Sequence, residues 1–159
     1  MKKALSAIAL AVATLAAGSA SATDYVGTIY TGAQDIQINT GDKLYSPNHR
    51  YMFTMEYDGR LVTYRLSDYK IVYQSTLQPI QGSPYALLKR NISFAIYSNA
   101  SFGYYTQVWS NGTEKQGVVD GATTLTLKND GMLQLAGAPR PGSPYPDTIY
   151  WVSPRDNYL

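Results

Sequence analysis

Across residues 51–64, Y-M-F-T-M-E-Y-D-G-R-L-V-T-Y, side-chain character alternates with period two. On an extended strand Glu56, Asp58, Arg60, Val62 and Tyr64 share one face, and Met55, Tyr57, Leu61 and Thr63 share the other. Short runs of this kind recur down the chain between turn residues. They predict strands over 26–30, 35–39, 51–55, 61–66, 70–74, 86–89, 94–97, 105–109, 124–128, 132–135 and 148–152. Asp58-Gly59, Asn111-Gly112 and Asp130-Gly131 read as hairpin turns. Thr40-Gly41-Asp42, Gly82-Ser83-Pro84 and Gly142-Ser143-Pro144 mark further turns. Four prolines within residues 139–146 predict an irregular surface loop. Helical periodicity is nearly absent after the first residues, so the predicted class is all-β.

The pattern repeats. M-F-T-M-E-Y-D-G-R-L-V-T-Y then K-I-V-Y-Q-S-T forms one unit. A-L-L-K-R-N-I-S-F-A-I-Y then Q-V-W-S-N-G-T forms a second, and L-T-L-K-N-D-G-M-L-Q-L then T-I-Y-W-V-S a third. Tyr64 and Tyr97 end the second strand of their units. Tyr73, Trp109 and Tyr150-Trp151 occupy a later aromatic position. Three such units predict three small sheets around a shared axis.

The beginning of the chain reads differently. Met1-Lys2-Lys3 is a basic start, an apolar run follows, and Ala20-Ser21-Ala22 suits cleavage. Residues 1–22 are expected to be a signal peptide of bacterial style and 23–159 a single exported domain, periplasmic or extracellular. No later run is apolar enough to be an integral membrane segment. Removal of Lys2 and Lys3 lowers Lys plus Arg from 13 to 11, equal to the 11 acids. A near-neutral domain argues against nucleic acid as partner. With no cysteine and one histidine, thiol catalysis, iron–sulfur centres and multi-histidine metal sites are excluded, and no cofactor or metal is expected. Fifteen tyrosines are the unusual count; most suit sheet packing, and a few could form a stacking surface for carbohydrate.

The run from Gly41 to Tyr64, the segment V-W-S-N-G-T from Val108 to Thr113, and the threefold recurrence together resemble the bulb-type (monocot mannose-binding) lectin family. The resemblance covers about residues 32–153. It implies a β-prism II fold of three pseudo-symmetric four-stranded antiparallel sheets with a tryptophan-rich centre. It also implies mannose binding through Gln-x-Asp-x-Asn-x-Val-x-Tyr, once per sheet. There amide and carboxylate hold sugar hydroxyls, Val packs on the ring carbons, and Tyr reaches another hydroxyl.

Carried onto this sequence, the first copy reads Glu56, Asp58, Arg60, Val62, Tyr64, matching at Asp, Val and Tyr. The second reads Lys89, Asn91, Ser93, Ala95, Tyr97, matching at Tyr97. The third reads Lys128, Asp130, Met132, Gln134, Ala136, matching at Asp130. Glu56 only accepts where Gln would also donate, and Arg60 only donates where Asn would also accept. Arg60 could also pair with Glu56 or Asp58 and fill the pocket. The best site is therefore expected on the face from Glu56 to Tyr64, with altered preference. The copies containing Asn91, Tyr97 and Asp130 are expected to be silent toward mannose.

Other constellations carry blander readings. Glu56 and Asp58 are neighbours on one strand, which does not straddle a glycosidic bond, so no catalytic residue is assigned. His49 reads as a solvated turn residue. Trp109 and Trp151 read as core residues. Asn91, Asn99 and Asn111 head glycosylation sequons that a bacterial-style leader makes idle. The tail from Ser153 frays, or is a terminal strand exchanged to make a homodimer, as in relatives of this fold. The expected activity is that of a secreted, non-enzymatic carbohydrate-binding protein, in cell-surface recognition or a bacteriocin-like role. The alternative is a lectin-fold scaffold that has lost its sugar and contacts proteins through its tyrosines and the 139–146 loop.

Overall fold

The computed structural model describes residues 22–76, 78–101, 104–113, 122–137 and 148–154. The leader, the proline-rich loop and the last five residues of the expected terminal strand lie outside the described residues. No helix among the described residues is long and apolar enough to cross a membrane.

Among the described residues, thirteen strands form three sheets. The first contains β4 (Lys43–Tyr45), β5 (Tyr51–Met55), β6 (Leu61–Arg65) and β7 (Lys70–Gln74). The second contains β3 (Ile36–Ile38), β8 (Tyr85–Lys89), β9 (Ser93–Ser101) and β10 (Tyr104–Ser110). The third contains β2 (Thr28–Tyr30), β11 (Thr123–Leu127), β12 (Leu133–Gly137) and β13 (Thr148–Val152). All neighbouring pairs within these sets are antiparallel. The short strands β2, β3 and β4 follow one another in the chain but close three different sheets. The N-terminal segment thereby stitches the sheets together.

Two details depart from expectation. The run 26–30 is two strands, because Gly27 turns the chain at φ 75°. Its N–H donates to the Tyr45 carbonyl of the first sheet, and its carbonyl accepts from Leu127 of the third. The first sheet also gains a fifth strand, β1 (Asp24–Val26), which pairs with β4 in parallel. Buried Asp42 fixes this addition: its carboxylate accepts from the N–H groups of Thr23 and Asn39 at 2.7 and 2.8 Å.

The threefold repeat is carried into the hydrogen bonds. In each sheet the third and fourth strands are clasped by one backbone bond and one side-chain bond. Ser75 N–H donates to Leu61 O (2.9 Å) while its hydroxyl accepts from Leu61 N–H (3.1 Å). Asn111 does the same for Phe94 and Ser153 for Leu133. Each pair carries a register shift at the same place, beside Thr63, Ile96 and Leu135. Such bulges sharpen twist and re-aim side chains.

One apolar core lies among the sheets. Phe53 and Phe94 meet at its centre (6.2 Å), surrounded by Met55, Leu61, Leu88, Ile96 and the leucines of β11 and β12. Tyr73, Trp109 and Trp151 sit opposite Thr63, Ile96 and Leu135. Tyr73 is buried, but the two tryptophans are only partly buried and pack against the core from outside. Phenylalanine and leucine therefore fill the centre where the family resemblance implied tryptophan.

Candidate functional site

The alternating run bends where the Asp-Gly pair predicts. Glu56 to Arg60 form the β5–β6 turn, closed by Glu56 N–H to Arg60 O (2.8 Å) and Gly59 N–H to Glu56 O (2.9 Å). Lys128 and Met132 close the β11–β12 turn with the same pair of bonds. The middle turn differs: Ile92 has φ 62°, and its N–H donates to the Thr123 hydroxyl. The turn carries Tyr57 away from Met55 and Leu61, leaving it 90% exposed at the tip.

On the outer face of the first sheet, the predicted residues meet in two pairs. Arg60 binds Asp58 through its backbone N–H (3.1 Å), Nε (2.7 Å) and Nη2 (2.7 Å). Its Nη1 continues to Gln74 Oε1 at 3.2 Å. Burial first, then hydrogen bonding to Glu56 and the Glu56 charge, hold the Tyr64 pKa above its ordinary value. Val62 lies opposite Gln74 on this face and is fully buried. The Arg60–Gln74 bond spans the same two strands, and with Val62 fully buried the apolar floor that a sugar would need is closed. The face holds two carboxylates and one guanidinium.

Gln74 was not legible as a site residue. It follows Tyr73 in an ordinary strand, and only the ladder beyond the bulge sets it across from Val62.

On the second sheet, Lys89 stands where Glu56 does and Tyr97 where Tyr64 does. Lys89 Nζ donates a short hydrogen bond to the Tyr97 hydroxyl and lies 5.0 Å from that ring's centroid. Tyr97 OH donates to Gln107 Oε1 at 3.1 Å. Ser93 and Ala95 are buried. Tyr85, opposite Tyr97 in the ladder, stacks on it (5.7 Å, 20°), and Tyr105 meets Tyr85 edge-on at 5.1 Å. Tyr85 could have been found by its spacing, since it precedes Lys89 by two strand-face repeats. Asn91, expected as part of this copy, is exposed in the turn.

The third face has neither arrangement. Lys128 and Asp130 are exposed, Gln134 is half-buried, and Ala136 supplies no polar group. Asp130 turns back on its own hairpin, accepting from Met132 N–H at 3.2 Å. Between the third and first sheets lies a cleft of about 190 Å³, lined in part by Tyr51, Arg65, Val72, Asp130 and Met132. His49 is exposed in the β4–β5 turn, its ring 5.8 Å from Tyr45.

No protein-family model and no curated protein sequence matches this chain. Solved structures do. The monomeric monocot mannose-binding lectins of Gastrodia elata superpose with a TM-score of 0.59 at 20% identity, over 80% of this chain and 96% of theirs. A lectin of Marasmius oreades gives 0.60 at 19%, over 83% and 94%. The mannose-specific agglutinin of snowdrop (Galanthus nivalis), solved with methyl-α-D-mannoside, gives 0.57 at 18%, over 74% and 95%. Three sheets of four to five strands around one core, joined as described, give this chain the β-prism II fold that these lectins share.

Proposed function

We propose that the protein binds carbohydrate, through the outer face of the first sheet. The observation that carries this reading is the grouping of Asp58, Arg60, Gln74, Glu56 and Tyr64 on one sheet face of a lectin-type fold. Their alternating donors and acceptors match the ring of hydroxyls on a sugar. Binding swings the Arg60 side chain off Gln74 and Asp58, and Asp58 and Tyr64 take sugar hydroxyls while Val62 meets the ring carbons. Glu56 and Arg60 set a preference that differs from plain mannose. A half-exposed ion pair contributes only ~0–1 kcal/mol, so opening it is cheap beside a millimolar sugar site of about 4 kcal/mol. The reading includes export across the inner membrane, a homodimer by terminal strand exchange, and a non-enzymatic role in recognition of cell-surface glycans or as a bacteriocin-like module.

An NMR titration with methyl mannoside and oligomannose tests it. Saturable shifts at Asp58, Val62 and Tyr64, lost in a folded Asp58→Ala variant, are expected. Silence in a folded protein would remove the proposal. The closed floor over Val62 favours a second reading, in which the prism is kept as a scaffold for protein contact and the sugar site stays filled. That reading requires sugar silence together with a partner captured through the exposed tyrosines.

A further inference from the structure

We propose that the outer face of the second sheet is a separate binding site for acidic sugars, such as a uronate chain, held by tyrosine stacking and Lys89. It goes beyond the first-sheet proposal and does not rest on it. It lies where the lectin-type motif has its second copy, but Lys89 stands there in place of the motif's Gln, and Tyr85, Tyr105 and Gln107 lie outside the motif.

Three observations converge. First, the charge of the position is inverted between equivalent sheets: Lys89 replaces Glu56 at the same point of the hairpin. Second, Lys89 has no carboxylate partner among the described residues. Its contacts are the Tyr97 hydroxyl and ring. Asp35, beside the same turn, accepts instead from the Arg90 backbone N–H at 2.8 Å. An ammonium has three donors, and the Tyr97 hydroxyl takes one. Third, Tyr85, Tyr97 and Tyr105 form a continuous aromatic patch on this face, with Tyr105 51% exposed at the sheet edge. Aromatic faces are electron-rich, so they attract the weakly positive C–H face of a pyranose.

These parts divide the ligand between them. The tyrosine patch receives the ring, with the Tyr97–Gln107 hydrogen bond beside it. Lys89 receives the carboxylate. A neutral sugar would leave that cation without a partner, and this selects for the acid. A compact ammonium fits a single carboxylate as a point charge.

The test is a titration of the protein with a galacturonate trisaccharide, and with the same trisaccharide after reduction of its carboxyls to alcohols. Calorimetry gives affinity and NMR gives location. The acid should bind saturably, with shifts at Tyr97, Gln107 and Tyr105, and should weaken as salt is raised. The reduced sugar should bind about tenfold more weakly or not at all. Lys89→Gln should lose about tenfold in affinity for the acid, and Lys89→Arg should retain most of it. Tyr105→Ala should lose about fivefold. Each variant's amide spectrum reports its folding independently. The proposal is overturned by absence of saturation, by equal affinity for the reduced sugar, by indifference to Lys89→Gln in a folded variant, or by shifts confined to Asp58 and Tyr64.

Discussion

The outer faces of the first and second sheets are built on one backbone frame: the same strand pairing on either side of the turn, the same bulge, the same clasp between third and fourth strands. Their surfaces are nonetheless opposite in kind. The first is a closed polar network, with Arg60 bound to Asp58 and Gln74, and Val62 fully buried. The second is aromatic and cationic, with Lys89 lying against Tyr97 beside Tyr85 and Tyr105. The frame depends on inward leucines and backbone bonds, which barely constrain what points outward. Recognition can therefore diverge between repeats while the core stays matched.

The turns give the sharpest way to break this equivalence. Gly59 has φ +79°, and a Cβ there would lie 2.6 Å from Pro84 Cγ and 2.9 Å from Ile80 Cβ. The matching residue of the second sheet is Ile92, at φ 62°, with its side chain buried against Gly137. Gly59→Ile adds backbone strain and overpacking together, and should cost about 3 kcal/mol or more in urea unfolding. Ile92→Gly relieves strain but empties part of the core, and should cost about 1–3 kcal/mol. Equal, small effects would show that the two turns are interchangeable.

A smaller change should open the first face. Arg60→Ala removes the bond to Gln74, opposite Val62, and should alter stability by less than about 1 kcal/mol, because the pair is half-exposed. Its methyl mannoside response should rise above that of the parent, measured by NMR titration. An unchanged response would mean that arginine is not what closes the floor.

The smallest effect is electrostatic. The folded pKa of Tyr64 is raised by burial and by Glu56. Its stabilising contribution is thus fully present below the ordinary tyrosine range and is lost as pH rises through the raised value. Glu56→Gln removes the charge and should bring the Tyr64 ionisation down toward ordinary tyrosine in an ultraviolet difference titration. Alkaline unfolding should begin later in that variant, since less differential protonation remains. An unmoved ionisation would show that burial alone holds the phenol neutral.

Much of the frame was readable along the chain. Period-two alternation, the Asp-Gly bends and the recurring aromatic positions depend on neighbours one to four residues apart, and each repeat unit carries its own copy. Strand positions and the equivalence of Glu56, Lys89 and Lys128 followed from these. The division of residues 26–30 did not, because Gly27 turns to satisfy two different sheets at once. Nor did the parallel fifth strand, which is held by Asp42, nineteen residues away from the Thr23 N–H that it binds.

The site was legible only in part. Asp58, Arg60 and Tyr64 are brought together locally, by the β5–β6 turn and the first residues of β6. Gln74 joins them only across a bulged ladder, and the full burial of Val62 opposite it is likewise set by tertiary packing. The tyrosine patch likewise combines β8, β9 and β10, whose registers are fixed by the core beneath them. The sequence by itself determined an all-β chain of three repeated hairpin units, because side-chain alternation and turn chemistry are local. Tertiary structure decided which outward side chains meet and which charges stay open, because those depend on cross-strand register, bulges and the packing of one sheet against the next.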